Sequence, residues 1–87
     1  MIDPIRKAKL IWRSRRGMLE LDLLLQRFLA NYVDQLTESE IVSMELLLTC
    51  PDPDLLSWLI GDESPEDKEL NHIIELIQSH GRIGKID

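Results

Sequence analysis

Helix boundary signals recur along this chain at intervals that leave room only for short helices. Asp3-Pro4 reads as an N-cap followed by the first helical residue, because the carboxylate accepts free amide protons while proline lacks a proton that the first turn does not use. Asp52-Pro53 repeats the pattern, and Ser64-Pro65 with Asp67 repeats it again. Thr37, with Glu40 three residues later, forms a capping box. Gly17, Gly61 and Gly81 stand where helices should stop, since glycine readily takes the left-handed conformation that closes them.

Between these marks the apolar residues follow helical spacing. Helix 1 is expected from Asp3-Pro4 to about Arg15. Leu21, Leu24, Leu25, Phe28 and Tyr32 form one stripe of a second helix reaching about Val33, and this stripe should be the central wall of the core. Ile41, Met44 and Leu48 continue an inward face as far as Pro51. Leu55, Leu56, Trp58 and Leu59 mark a short fourth helix. Leu70, Ile73, Ile74 and Ile77 mark a fifth, which Gly81 should end. One tyrosine, one phenylalanine and two tryptophans leave little of the aromatic enrichment typical of strands. A chain of 87 residues buries only a little over roughly 60% of its unfolded surface and holds one core. The expectation is an all-α, compact five-helix bundle spanning 1–87 as a single domain, with a frayed tail at 82–87.

The net charge of −6 conceals a polarity along the chain. Residues 1–16 carry six basic side chains against Asp3 alone, a local charge of +5, whereas residues 37–69 carry ten acids and one lysine, a local charge of −9. The acidic bulk would repel phosphate over a Debye length of roughly 8 Å, so nucleic acid is not expected as a partner. The basic first helix is expected to dock, partly by charge, on an acidic patch of its own domain or of a protein partner. No apolar stretch approaches the roughly 20 residues of a membrane span, and no signal peptide or presequence is visible, so a cytoplasmic protein without membrane insertion is expected.

The sequence holds few groups arranged for chemistry. The four glycines do not form a phosphate loop, and Cys50, His72 and His80 lack metal spacing. Cys50 lies at a helix C-terminus, where the dipole raises a thiol pKa, and is read as structural. Trp12 and Trp58 are read as buried aromatics, and Glu38, Glu40 and Glu45 as first-turn and solvated-face charges. The remaining feature is the stretch Arg15 to Asp22, RRGMLELD. It is either a capped turn, with Arg15 and Arg16 at a negative dipole end and Glu20 and Asp22 at a positive one, or an exposed corner that offers a guanidinium and a carboxylate to a partner.

Arg16-Gly17-Met18-Leu19-Glu20, continued by Leu21 and Asp22, resembles the RGxxE signature of the succinate dehydrogenase FAD assembly factors, the SdhE-type flavinylation proteins. Asp52-Pro53-Asp54-Leu55-Leu56-Ser57-Trp58-Leu59 is similar to the DPDLxxWL segment of that family, and the basic segment with Trp12 agrees as well. The resemblance covers nearly the whole chain and implies a five-helix bundle. It implies a non-enzymatic assembly factor that binds the flavoprotein subunit of succinate dehydrogenase, and the related fumarate reductase subunit, and promotes covalent attachment of FAD. On this reading the FAD belongs to the partner and this chain binds none tightly. Arg16, Gly17 and Glu20 would form the contact surface, with Arg15 and Asp22 as rim contacts; Asp52, Pro53 and Trp58 would be cap, first helical residue and core. Leu19 at the variable position implies a partly hydrophobic contact. Members of the family have also been described as antitoxin-like partners of a small membrane toxin. An enzyme reading, with Glu20 as a base on bound flavin, is disfavoured because nothing in the sequence suggests a pocket that encloses FAD.

Overall fold

A computed structural model describes residues 2–80. Its helices are α1 (Pro4–Arg13), α2 (Leu19–Tyr32), α3 (Glu38–Leu47), α4 (Asp52–Ile60) and α5 (Lys68–His80), with a single 3-10 turn at Val33–Gln35 after α2. No strand occurs among the described residues. The all-α, five-helix expectation holds. The expected stop at Gly81 and the frayed tail at 82–87 lie outside the described residues.

The stripe read from α2 is the central wall. Leu21, Leu25, Phe28 and Leu29 are buried, and Tyr32 stacks on Phe28 with ring centroids 5.8 Å apart. Helix α5 turns Leu70, Ile73, Ile74 and Ile77 inward and packs against α2, α3 and α4. Ile41, Met44 and Leu47 of α3 and Leu55 and Leu59 of α4 close the core. Burying each such side chain contributes on the order of 1.5–3 kcal/mol, so these helices, each too short to persist alone, hold one another in place.

Two local caps form as expected. Asp3 accepts from the amides of Ile5 and Arg6 at 3.0 and 3.1 Å, and Thr37 and Glu40 form the reciprocal capping box. Three boundaries differ. Helix α1 ends at Arg13 with the buried Ser14 as its C-cap, so the left-handed Gly17 lies in the following linker and not directly at the helix end. The N-cap of α4 is Pro51, which makes Asp52 the first helical residue and frees its carboxylate for another partner. Helix α5 begins at Lys68, where Asp67 accepts from the Glu69 amide at 2.9 Å, and Pro65 is buried ahead of the helix.

Helix α1 docks by charge on its own domain. Arg6 grips Glu45 through Nε and Nη2 at 2.7 and 2.8 Å and reaches Glu38 at 2.7 Å, while Lys7 meets Asp34 at 3.0 Å. Glu38 and Glu45 are therefore paired groups and not simply solvated charges, and Glu40 meets the exposed His72 at 2.9 Å. The Arg6 hydrogen bond holds the Glu45 carboxyl below its ordinary range, and the Thr37 backbone amide, followed by His72, does the same for Glu40.

A carboxyl with a depressed folded-state pKa adds stability above its unfolded value, and that stability is lost as pH falls through the folded value. Urea midpoints should stay level from about pH 7 to pH 5 and decline below about pH 4.5. Glu45→Gln should start lower at neutral pH and decline less. An equally steep decline in that variant would remove Glu45 from the account.

Candidate functional site

The stretch between α1 and α2 forms an ordered corner. After Ser14, whose hydroxyl donates to the Ile11 carbonyl at 2.6 Å, the chain reaches Gly17 at φ +87° and enters α2 at Met18, which offers no side-chain cap. A side chain of the helix instead braces the residues ahead of it. Asp22 accepts from the Arg16 amide at 2.6 Å and the Gly17 amide at 3.2 Å, so its carboxylate fixes the linker against the positive end of α2. Asp22 therefore acts inward on the corner it was expected to rim.

Arg16 is committed inward as well. Its Nε donates to Asp52 Oδ1 at 2.7 Å, Nη1 to the Leu48 and Arg13 carbonyls at 2.7 and 3.2 Å, and Nη2 to the Cys50 carbonyl at 2.9 Å. The carbonyls at the end of α3 and the carboxylate opening α4 thus share one guanidinium, which satisfies acceptors that a helix end leaves unmatched. This corrects the expectation that the Arg16 fork faces solvent and that Asp52 is a cap. The two motifs meet in a single side-chain contact. Beside it, burial and then Asp54 push the Cys50 thiol up, in keeping with a structural cysteine.

What the corner leaves outward is a different set. Arg15 and Glu20 are exposed and make no side-chain hydrogen bond or ion pair among the described residues. Trp12 and Leu19 are 75% and 76% exposed, the highest values among the large apolar side chains described. The expectation of a buried Trp12 is overturned, whereas Trp58 packs partly buried against the core. The outward position of Trp12 follows from α1 itself: two residues from the buried Leu10, it lies about 200° round the helix. Trp12, Arg13, Arg15, Arg16 and Asp52 line a shallow groove beside the corner.

Gly17 has open space around it, since a Cβ there would meet no atom within 4 Å. The corner thus presents exposed aromatic and aliphatic side chains, a cation and a carboxylate unpaired among the described residues, and a bare backbone on a fixed scaffold. Such a mixture suits protein recognition, where large apolar anchors and arginine dominate binding energy. Arg15, Gly17 and Glu20 were legible as site candidates; Trp12 was not, and its helical angle to Leu10 was the available signal.

A family model described as flavinator of succinate dehydrogenase matches residues 8–81. The chain is 51% identical over 78 residues to the FAD assembly factor SdhE of Legionella pneumophila (strain Paris), covering 90% of this chain and 98% of that protein. It is 45% identical over 78 residues to the FAD assembly factor SdhE of Coxiella burnetii (strain RSA 493 / Nine Mile phase I), covering 90% and 95%. The FAD assembly factor SdhE of Yersinia pestis is 41% identical over 76 residues, covering 87% and 86%.

Proposed function

The chain belongs to the succinate dehydrogenase flavinator family, and on that premise we propose that it docks on the flavoprotein subunit of succinate dehydrogenase and promotes covalent attachment of FAD to a histidine there. The observation that carries this reading is the outward face of the corner, with Trp12, Arg15, Gly17, Leu19 and Glu20 presented on an internally braced scaffold. The bond forms within the client, between its own histidine and its own FAD. This chain contributes position: by binding one conformation of the client it raises the fraction in which ring and imidazole meet. The flavoprotein of fumarate reductase is a second client of the same kind.

The corner is ill suited to holding FAD itself. A helix N-terminus attracts a pyrophosphate through free amides, yet at α2 Glu20 and Asp22 place two carboxylates in the first turn, which repel it. On this reading the FAD stays with the client, and this chain acts by position and not by catalysis. Glu20 accepts a charge-assisted hydrogen bond from a client cation, Arg15 donates to a client acceptor, and Trp12 and Leu19 supply apolar anchorage.

The test is in-gel flavin fluorescence of the denatured flavoprotein from cells lacking this gene. We expect fluorescence in the flavoprotein band to be lost on deletion, restored by wild type and not restored by Glu20→Ala. Equal fluorescence in all strains would refute the role, and restoration by Glu20→Ala would remove the carboxylate from the contact.

A further inference from the structure

The domain carries two kinds of cation. Arg6, Lys7 and Arg16 are spent on carboxylates and carbonyls of their own chain. Arg15 and Arg27 make no side-chain ion pair or hydrogen bond among the described residues. Arg27 borders an open groove between the last turn of α1 and the outer face of α2, where Ile11, Leu23, Leu29 and Ala30 give an apolar lining and Ser14 and Gln26 complete the wall. No acidic side chain among the described residues lines it.

The groove continues the corner. Residues three and four apart on a helix share a face, so Leu23 lies one turn beyond Leu19 and Glu20, Arg27 one turn beyond Leu23, and Ala30 beyond that. From Glu20 to Ala30 the face runs about 15 Å at about 1.5 Å per residue. A specific protein interface takes about 800 Å² from each partner, roughly 20 residues a side, far more than a corner of five residues supplies. The apolar lining next to it on the same helix provides an extension.

We infer that this groove is the second part of the docking surface and that its occupant is a segment of the flavoprotein client, placing an apolar side chain against Leu23 and Ala30 and a carboxylate against Arg27. The inference rests on the reading that the flavoprotein is the partner. A second copy of this chain fits less well. Its densest run of carboxylates, five of the sixteen acids, lies at residues 62–69, where the one apolar residue, Pro65, is buried and cannot insert.

The test is the affinity of the purified chain for the purified flavoprotein lacking covalent FAD, measured for wild type, Ala30→Arg, Arg27→Glu and Glu20→Ala. Arginine has nearly the helix propensity of alanine, so Ala30→Arg fills the groove with little effect on folding, which circular dichroism and thermal unfolding verify. We expect Ala30→Arg and Arg27→Glu each to weaken binding at least roughly tenfold, the effect of losing a hot-spot contact. Binding by Arg27→Glu should also depend less on salt than that of wild type. If both groove variants bind as wild type does while Glu20→Ala fails, the groove is overturned and the corner stands. If wild type itself does not bind, the parent reading falls and the groove with it. A wild-type dimer in sedimentation that Ala30→Arg dissociates, with client binding intact, would assign the groove to self-association and likewise overturn the inference.

Discussion

Gly17→Arg should abolish binding to the flavoprotein and leave it without covalent flavin, while melting within a few degrees of Gly17→Ala. A substitution at Gly17 carries two distinct costs. At φ +87° any L-residue carries a conformational penalty of about 1–2 kcal/mol, which both variants share. In a domain of this size that is worth roughly 4–8 °C of melting temperature per kcal/mol. The Cβ that both variants add meets no atom within 4 Å. A long cation next to the start of α2 opposes the helix dipole by well under about 1 kcal/mol, so the two should remain close in stability. They differ in what projects from the corner. Arginine occupies the volume through which a client backbone would approach Gly17, whereas a methyl group leaves most of it open. Calorimetric melting together with client affinity decides the matter: equal affinity for the two variants would reduce Gly17 to a hinge.

Arg16→Ala should act in the opposite way, on the fold first and on docking only as a consequence. The guanidinium is mostly shielded and serves Asp52 together with the carbonyls of Arg13, Leu48 and Cys50. Its removal strands partly buried acceptors and leaves Asp52 without its cation, at a cost of about 2–3 kcal/mol once residual solvent contact is allowed for. That corresponds to a fall in melting temperature of roughly 10–20 °C. Arg16→Lys keeps the charge but cannot span several acceptors with one ammonium, so its loss should be intermediate. A melting temperature within about 2 °C of wild type for Arg16→Ala, equivalent to well under about 1 kcal/mol, would show that the side chain is free to serve a partner.

The parts of this fold that were legible are those fixed by neighbours in sequence. Leu21, Leu25 and Phe28, and later Ile73, Ile74 and Ile77, declare their inward face by spacing, and Asp3 and Thr37 declare their caps because the amides they accept from lie two or three residues away. Asp52 misled because its carboxylate answers to an arginine 36 residues earlier. Glu38 and Glu45 looked like solvated charges for the same reason, since their common partner Arg6 lies 32 and 39 residues away. Within the candidate site, residue identity and order were readable and direction was not. Adjacent arginines, 15 and 16, have opposite fates: one points outward, and the other is drawn in by carbonyls whose position depends on how α3 ends.

The Arg16 contact also has a polarity that cannot be inverted. Most surface ion pairs tolerate exchange of their two members, because each group sees little besides the other. Here the acceptors around position 16 include main-chain oxygens of three residues, which no substitution can turn into donors. A carboxylate at 16 facing an arginine at 52 would set a negative charge among those oxygens. The two motifs are therefore tied in a fixed order, donor in the first and acceptor in the second, and chains that keep this architecture are constrained to drift at positions 16 and 52 only in ways that preserve that direction.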